Sequence, residues 1–176
     1  MSGDAVESAV RRVDEPSPDL TGPERRLDGR VRVIWVFRSL VGAFTLGVGG
    51  AVAGFFLVDD PVVPGTVVFA IAFALGIAFA ILRYQSWRYE VRADSLFLDR
   101  GVLTRVRTVV PYVRIQHVDV SRGPLERTLG LSSVVVYTAG SRGADVTVPG
   151  LDPERAEDLQ ARLKRLAIAA EGEDAV

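Results

Sequence analysis

Cysteine is absent from this 176-residue chain, which also holds a single histidine, His117, and a single lysine, Lys164, beside twenty arginines. Without thiols there is no disulfide, thiolate nucleophile or cysteine metal centre, and the absence fits a reducing cytoplasmic setting. One histidine leaves an imidazole-based metal cluster or proton relay short of partners. No cofactor is implied. The formal net charge of −1 argues against whole-molecule attraction to nucleic acid. The preference for Arg over Lys, with abundant Ala, Val, Asp and Gly, resembles the residue bias of a GC-rich genome and says little about function.

Charge itself is missing from two long stretches. Residues 39–58 form an uncharged run of 20 and residues 62–82 a second of 21, separated by the acidic turn Asp59-Asp60-Pro61. At about 1.5 Å rise per residue, some 20 residues cross the roughly 30 Å hydrocarbon core of a bilayer. Core helices of small soluble proteins wet one face and rarely stay apolar past about 14 residues. The pair therefore predicts a transmembrane hairpin over residues 31–85, with helices at about 33–58 and 62–82. Pro64 suits a first helical turn, where its missing N–H costs nothing, which sets the second helix to begin near it.

Arg25, Arg26, Arg30, Arg32 and Arg38 precede the first run and Arg83, Arg88, Arg92 and Arg100 follow the second, whereas the turn carries no basic residue. The positive-inside rule then places both termini in the cytoplasm of a multi-pass cell-membrane protein. Trp35 and Phe37, with Tyr84, Trp87 and Tyr89, fall where an inner aromatic belt belongs. Small residues at about four-residue spacing, Gly47, Gly50 and Gly54 on the first run and Ala72, Gly76 and Ala80 on the second, let helix backbones approach closely in lipid. They fit packing within the hairpin first, and a face for a second copy second. No ionisable residue interrupts either run, which argues against a channel, pump or transporter.

Residues 1–30 are charged and rich in Pro and Gly, with too little apolar substance to offset the entropy of ordering, and read as a disordered cytoplasmic tail. No apolar segment suited to a cleavable signal peptide precedes the first run. Thr21-Gly-Pro-Glu24 has capping-box spacing and offers either a short helix or a turn.

After Leu82 the apolar period shortens to two. Residues 87–91 alternate, Ala93-Asp94-Ser95 turns into Leu96-Phe97-Leu98, and Arg100-Gly101 turns into a strand over residues 102–110. Residues 112–120 alternate again, setting Val113, Ile115, His117 and Asp119 against Arg114, Gln116, Val118 and Val120. Residues 124–130 read as one helical turn closed by Gly130, residues 132–138 as a buried strand, and residues 144–148 as a strand returning from a turn at residues 140–143. Asp152 as N-cap and Pro153 at N1 open a helix whose Ala156, Leu159, Leu163 and Leu166 form one apolar stripe. Residues 86–170 thus make a small domain of antiparallel strands capped by one helix, followed by an acidic tail, residues 171–176.

In order, Gly101-Val-Leu-Thr-Arg105, Val110-Pro-Tyr-Val-Arg-Ile-Gln-His-Val118, Arg122-Gly-Pro-Leu125, Arg127-Thr-Leu-Gly-Leu131 and Val136-Tyr-Thr-Ala-Gly140 resemble the bacterial and archaeal pleckstrin-homology-like (PH-like) family of small membrane proteins, the YdbS-like bacterial PH domain group. That family carries two membrane helices ahead of its domain, and the resemblance covers roughly residues 30–166. It implies a bent antiparallel β-barrel of about seven strands capped by a C-terminal α-helix, and it brings no catalytic residues to carry over.

Residue chemistry gives no enzyme. His117 shares a strand face with Asp119 but lacks further partners, and Gly140-Ser-Arg-Gly143 is too short for a phosphate loop. Residues 83–142 contain ten arginines against five acidic residues, while residues 143–176 contain four basic against eight acidic. Arg100, Arg105, Arg107, Arg114 and Arg122 are therefore candidate contacts for anionic headgroups or a protein partner, each worth about 1 kcal/mol near an acidic bilayer. Solvation of exposed strand faces explains the same arginines equally well. The expected function is a membrane-anchored PH-like interaction or scaffold module that assembles with itself or a related PH-like membrane protein. The alternative is recognition of anionic lipid headgroups in envelope maintenance or stress response.

Overall fold

The computed structural model describes residues 22–140 and 145–173. The chain divides into a helical pair built on Gly29–Ser86 and a β-rich unit containing residues 22–28, Trp87–Arg100 and residues 105–173.

In the helical pair, α1 (Val31–Phe55) and α2 (Val62–Ser86) are each 25 residues, about 38 Å at helical rise, long and apolar enough to cross a membrane. Large apolar side chains face outward: Phe44, Phe55 and Leu75 are 64%, 71% and 66% exposed, an arrangement that lipid solvates and water does not. Each Ser and Thr hydroxyl along the helices returns to its own backbone. Ser39 Oγ donates to the Trp35 carbonyl at 3.0 Å, Thr45 Oγ1 to Val41 at 3.0 Å and Thr66 Oγ1 to Val62 at 2.8 Å. Such bonds spare the hydrocarbon an unpaired polar group. The second helix begins at Val62 rather than near Pro64, because the Asp60 carboxylate accepts the Val62 N–H at 2.9 Å and places negative charge at the positive end of the helix dipole.

The helices touch through small residues. A Cβ added at Gly47 would lie 3.1 Å from the Gly65 carbonyl, one at Gly65 would lie 2.7 Å from Ala51 Cβ, and one at Gly76 would lie 2.5 Å from Ser39 Cβ. At the open end of the hairpin the guanidinium of Arg83 sits 4.5 Å from the Trp35 ring centre and that of Arg32 4.7 Å from Tyr84, crossing between helices as cation–π pairs.

In the β-rich unit, β1 (Arg88–Val91), β2 (Ser95–Arg100) and β3 (Val106–Pro111) form one antiparallel sheet, and β4 (Ile115–Ser121), β5 (Ser132–Thr138) and β6 (Val146–Leu151) form a second. The short α3 (Pro124–Thr128) joins β4 to β5 and is closed by Gly130 at φ 62°, a left-handed conformation that suits glycine. The long α4 (Pro153–Glu173) packs on β4 and β5, driving Ala156, Leu159, Leu163 and Leu166 into a core with Tyr89, Leu96, Leu98, Val118, Val134, Val136 and Val148.

The expected seven-stranded barrel is met by six strands in two sheets among the described residues. Part of the difference lies before the hairpin. Residues 22–30, expected in the disordered tail, are placed, and residues 22–28 run beside β1: Gly22 N–H donates to the Val91 carbonyl at 3.0 Å, Arg25 N–H to Tyr89 at 2.7 Å and Tyr89 N–H back to Arg25 at 3.0 Å. Leu27 is buried, and Asp28 N–H donates to the Gly150 carbonyl at 2.8 Å. No short helix forms there, because a vacant strand edge offers the segment better partners than its own backbone. The rest of the expected tail, residues 1–21, the turn at residues 141–144 and the last three residues lie outside the described ones. Glu171, expected in a loose tail, belongs to α4.

The strand expected over residues 112–120 is also broken. Tyr112–Arg114 form one 3₁₀ turn, and a register shift follows between Ile115 and His117. The extra residue, Gln116, resets the alternation, so Ile115 and Val118 both face the core while Gln116, His117 and Asp119 are exposed. Tyr112 turns inward and its hydroxyl donates to the carbonyls of Arg92 at 2.6 Å and Ser95 at 3.0 Å. Burial, with the Asp94 charge added, pushes that hydroxyl well above its ordinary value near 10.

Candidate functional site

A strand with one unpaired edge is a ready template for another chain unless something blunts it. β4 pairs only with β5, through His117↔Tyr137, Asp119↔Val135 and Ser121↔Ser133, and its opposite edge is open among the described residues. Beside that edge lies one flank of α4. Arg122, just past β4, meets Glu157 near the start of α4 at 3.3 Å, and the Gln160 side-chain amide donates to the Val118 carbonyl at 2.6 Å. Further along, Lys164, Ala167 and Ile168 face Ile115, Gln116 and Val118 across a groove of about 310 Å³. Helix and strand therefore run antiparallel, and Glu157, Gln160, Lys164, Ile168 and Glu171 recur every three or four residues along the flank.

The Gln160 bond identifies which β4 groups look outward. A strand residue presents its N–H and C=O to the same side, so Val118 directs both to the open edge and β4 meets β5 through His117, Asp119 and Ser121. The edge is blunted at one carbonyl by one side chain. His117 and Asp119 are exposed and also line this groove, over which Ile168, 70% exposed, stands.

The five candidate arginines do not form one patch. Arg105 and Arg107, 67% and 64% exposed, both approach the half-buried Asp99, at 3.5 and 3.8 Å, and Arg100 lies 5.9 Å from the Trp87 ring centre. Arg114 and Arg122 flank opposite ends of β4, about 26 Å apart at strand rise, and Arg122 is engaged by Glu157. In the hairpin, Gly47, Gly50, Gly54 and Gly76 lie where an added Cβ would meet the other helix; Ala80 is buried and Ala72 half-buried.

No three His, Asp or Glu residues lie close enough to hold a metal ion among the described residues. His117 and Asp119 are both exposed on β4, and His117 lies across from Tyr137 of β5. Sequence alone does not single out Gln160, since a polar residue on an amphipathic helix carries no mark of the strand it will reach. Gly65 had a signal, the repeat of small residues, but its position in the first turn of α2 hid it.

A family model described as "Bacterial PH domain" matches residues 39–167. The chain is also similar to the UPF0699 transmembrane protein YdbS of Bacillus subtilis (strain 168), 37% identical over 86 residues. That alignment covers 49% of this chain and 52% of the relative, so the chain spans about half the length of the curated relative it matches. No solved structure matches.

Proposed function

The chain belongs to the bacterial PH domain family, and from that premise we propose that it is a membrane-anchored, non-enzymatic interaction module. The hairpin, taken as residues 31–85, holds it in the cell membrane with both termini cytoplasmic, and the PH-like domain, taken as residues 86–170 together with the extended segment at residues 22–28, assembles with a second copy or a related PH-like membrane protein. The observation that carries this reading is the open edge of β4 running beside a helix flank, a geometry suited to adding a strand. Confinement to one bilayer supports it, since membrane anchoring raises the effective concentration of copies for one another.

The test is co-expression of two full-length copies with different affinity tags, extraction in mild detergent and capture through one tag. Recovery of the second tag in comparable amount is expected; a strictly single-tagged, monomeric product refutes self-assembly. Orientation is read separately in the cysteine-free chain. An impermeant thiol reagent added to intact cells should label Asp60→Cys and spare Thr128→Cys, and the reverse pattern overturns the topology.

One observation favours headgroup recognition as a second reading. Arg105 and Arg107 share a single carboxylate and remain largely exposed, which leaves surplus positive charge at the start of β3. Arg105→Gln with Arg107→Gln would then reduce enrichment of anionic lipid around the full-length protein in mixed-lipid membranes, more at low than at high ionic strength.

A further inference from the structure

We infer that the β4 edge pairs antiparallel with β4 of a second copy, about a twofold axis at Val118; this rests on the self-assembly reading above and names its surface. The outward groups fix which registers are open. Val118 directs its N–H and C=O away from β5, and alternation makes Val120 its next outward neighbour. Two identical strands meeting antiparallel through this edge can place the twofold axis at Val118, at Asp119 or at Val120.

Charge decides among them. An axis at Asp119 sets two carboxylates directly opposite each other, which is destabilising. An axis at Val120 puts Asp119 opposite Ser121 and leaves His117 beyond the far end of the second copy's β4. An axis at Val118 sets His117 opposite Asp119 of the second copy and Asp119 opposite its His117, two reciprocal pairs on the exposed face. The bulged Gln116 then meets Val120, and the regular register ends there.

The flanking helix obeys the same symmetry. Gln160 bonds Val118, so it lies level with the axis, and α4 runs antiparallel to its own strand. The two α4 flanks therefore face each other head to tail, which brings Lys164 of one copy beside Glu157 of the other. An isologous interface requires this self-complementarity, in which each contact occurs twice. Gln160 acts as a placeholder: pairing exchanges its amide at the Val118 carbonyl for the Val118 N–H of the second copy, and no carbonyl is left unpaired.

The native chain has no cysteine, which makes a register-specific test direct. His117 and Asp119 are exposed, so each can be replaced without disturbing the core. In the Val118 register His117 and the second copy's Asp119 form a non-hydrogen-bonded pair, with Cα atoms about 4.5 Å apart, within disulfide reach. Two copies of His117, or of Asp119, are diagonal neighbours at roughly 7–8 Å, beyond it. Full-length His117→Cys and Asp119→Cys chains with different tags are co-expressed and oxidised in the membrane with copper phenanthroline. The expected product is a disulfide joining the two variants, with little linkage when either is expressed alone. Efficient self-linkage of Asp119→Cys overturns this register, and absence of any mixed disulfide overturns the surface.

Energy transfer between differently labelled full-length copies in proteoliposomes supplies the second readout. His117→Asp should lower the dimer fraction roughly tenfold in association constant by opposing carboxylates at both reciprocal positions, and adding Asp119→Lys should restore it. Transfer without the mixed disulfide leaves self-assembly standing and rejects the β4 surface; absence of both rejects the two together.

Discussion

Leu27→Ala tests the least expected feature of the β-rich unit, the extended segment contributed from before the membrane hairpin. Leu27 is 3% exposed, and the segment carrying it is held by three backbone hydrogen bonds to β1, one to Gly150, and an ion pair between Glu24 and Arg88 at 2.8 Å. The ion pair is half-exposed on both sides and contributes little. Burial of Leu27 is therefore the main apolar anchor. Replacing Leu by Ala removes three carbons, about 2.4 kcal/mol at roughly 0.8 kcal/mol per buried carbon. Because the segment is joined only at the edge of its sheet, the loss should fall on local opening rather than on global unfolding. Hydrogen exchange of the full-length protein in lipid nanodiscs, read on peptides covering residues 22–28 and 88–91, should then accelerate by roughly fiftyfold at the Arg25, Asp28 and Tyr89 amides. Exchange over β5 should be unchanged. Glu24→Gln, the control for the surface ion pair, should alter the same amides less than about twofold to threefold. If Leu27→Ala leaves β1 exchange as in the parent chain, residues 22–28 are not part of the domain and the reasoning is wrong.

Two further outcomes follow from buried groups and close contacts. Tyr112 donates to two carbonyls from a buried site and has a raised folded-state pKa, so the unfolded chain releases this proton first as pH rises. Its contribution is complete below the ordinary value near 10 and is lost above it; Tyr112→Phe should cost about 1–3 kcal/mol at neutral pH and flatten the fall in stability above pH 10, measured by thermal unfolding in detergent. A parallel fall in both proteins would refute the assignment. In the hairpin, Gly76→Leu forces a side chain into Ser39 and should separate the helices, whereas Gly42→Leu meets nothing within 4 Å and should be silent. Electrophoretic mobility and helix–helix energy transfer in detergent distinguish them, and equal behaviour would mean the glycines do not set the contact.

The membrane hairpin was legible in the sequence because it depends on a local quantity, the length of an uncharged run, that no tertiary contact can cancel. The same holds for β5, an unbroken valine run, and for α4, whose cap and apolar stripe lie within one segment. Tertiary structure decided what depends on partners distant in the chain. Residues 22–28 have no strand pattern of their own; they extend because β1, more than sixty residues later, presents an unpaired edge. The phase of β4 could not be read by alternation, since one bulged residue reverses it and the reversal is stabilised by Ile115 and Val118 reaching one core. The candidate arginines share a sign in the sequence but separate in the fold, Arg114 and Arg122 to opposite ends of β4 and Arg105 and Arg107 to Asp99 on the other sheet, because spacing in the chain does not give distance across a sheet. The proposed surface follows from the same limit: composition supplies His117, Asp119, Gln160 and Lys164, and only the fold sets them beside one open edge, where backbone groups that need partners lie beside a helix that satisfies one of them.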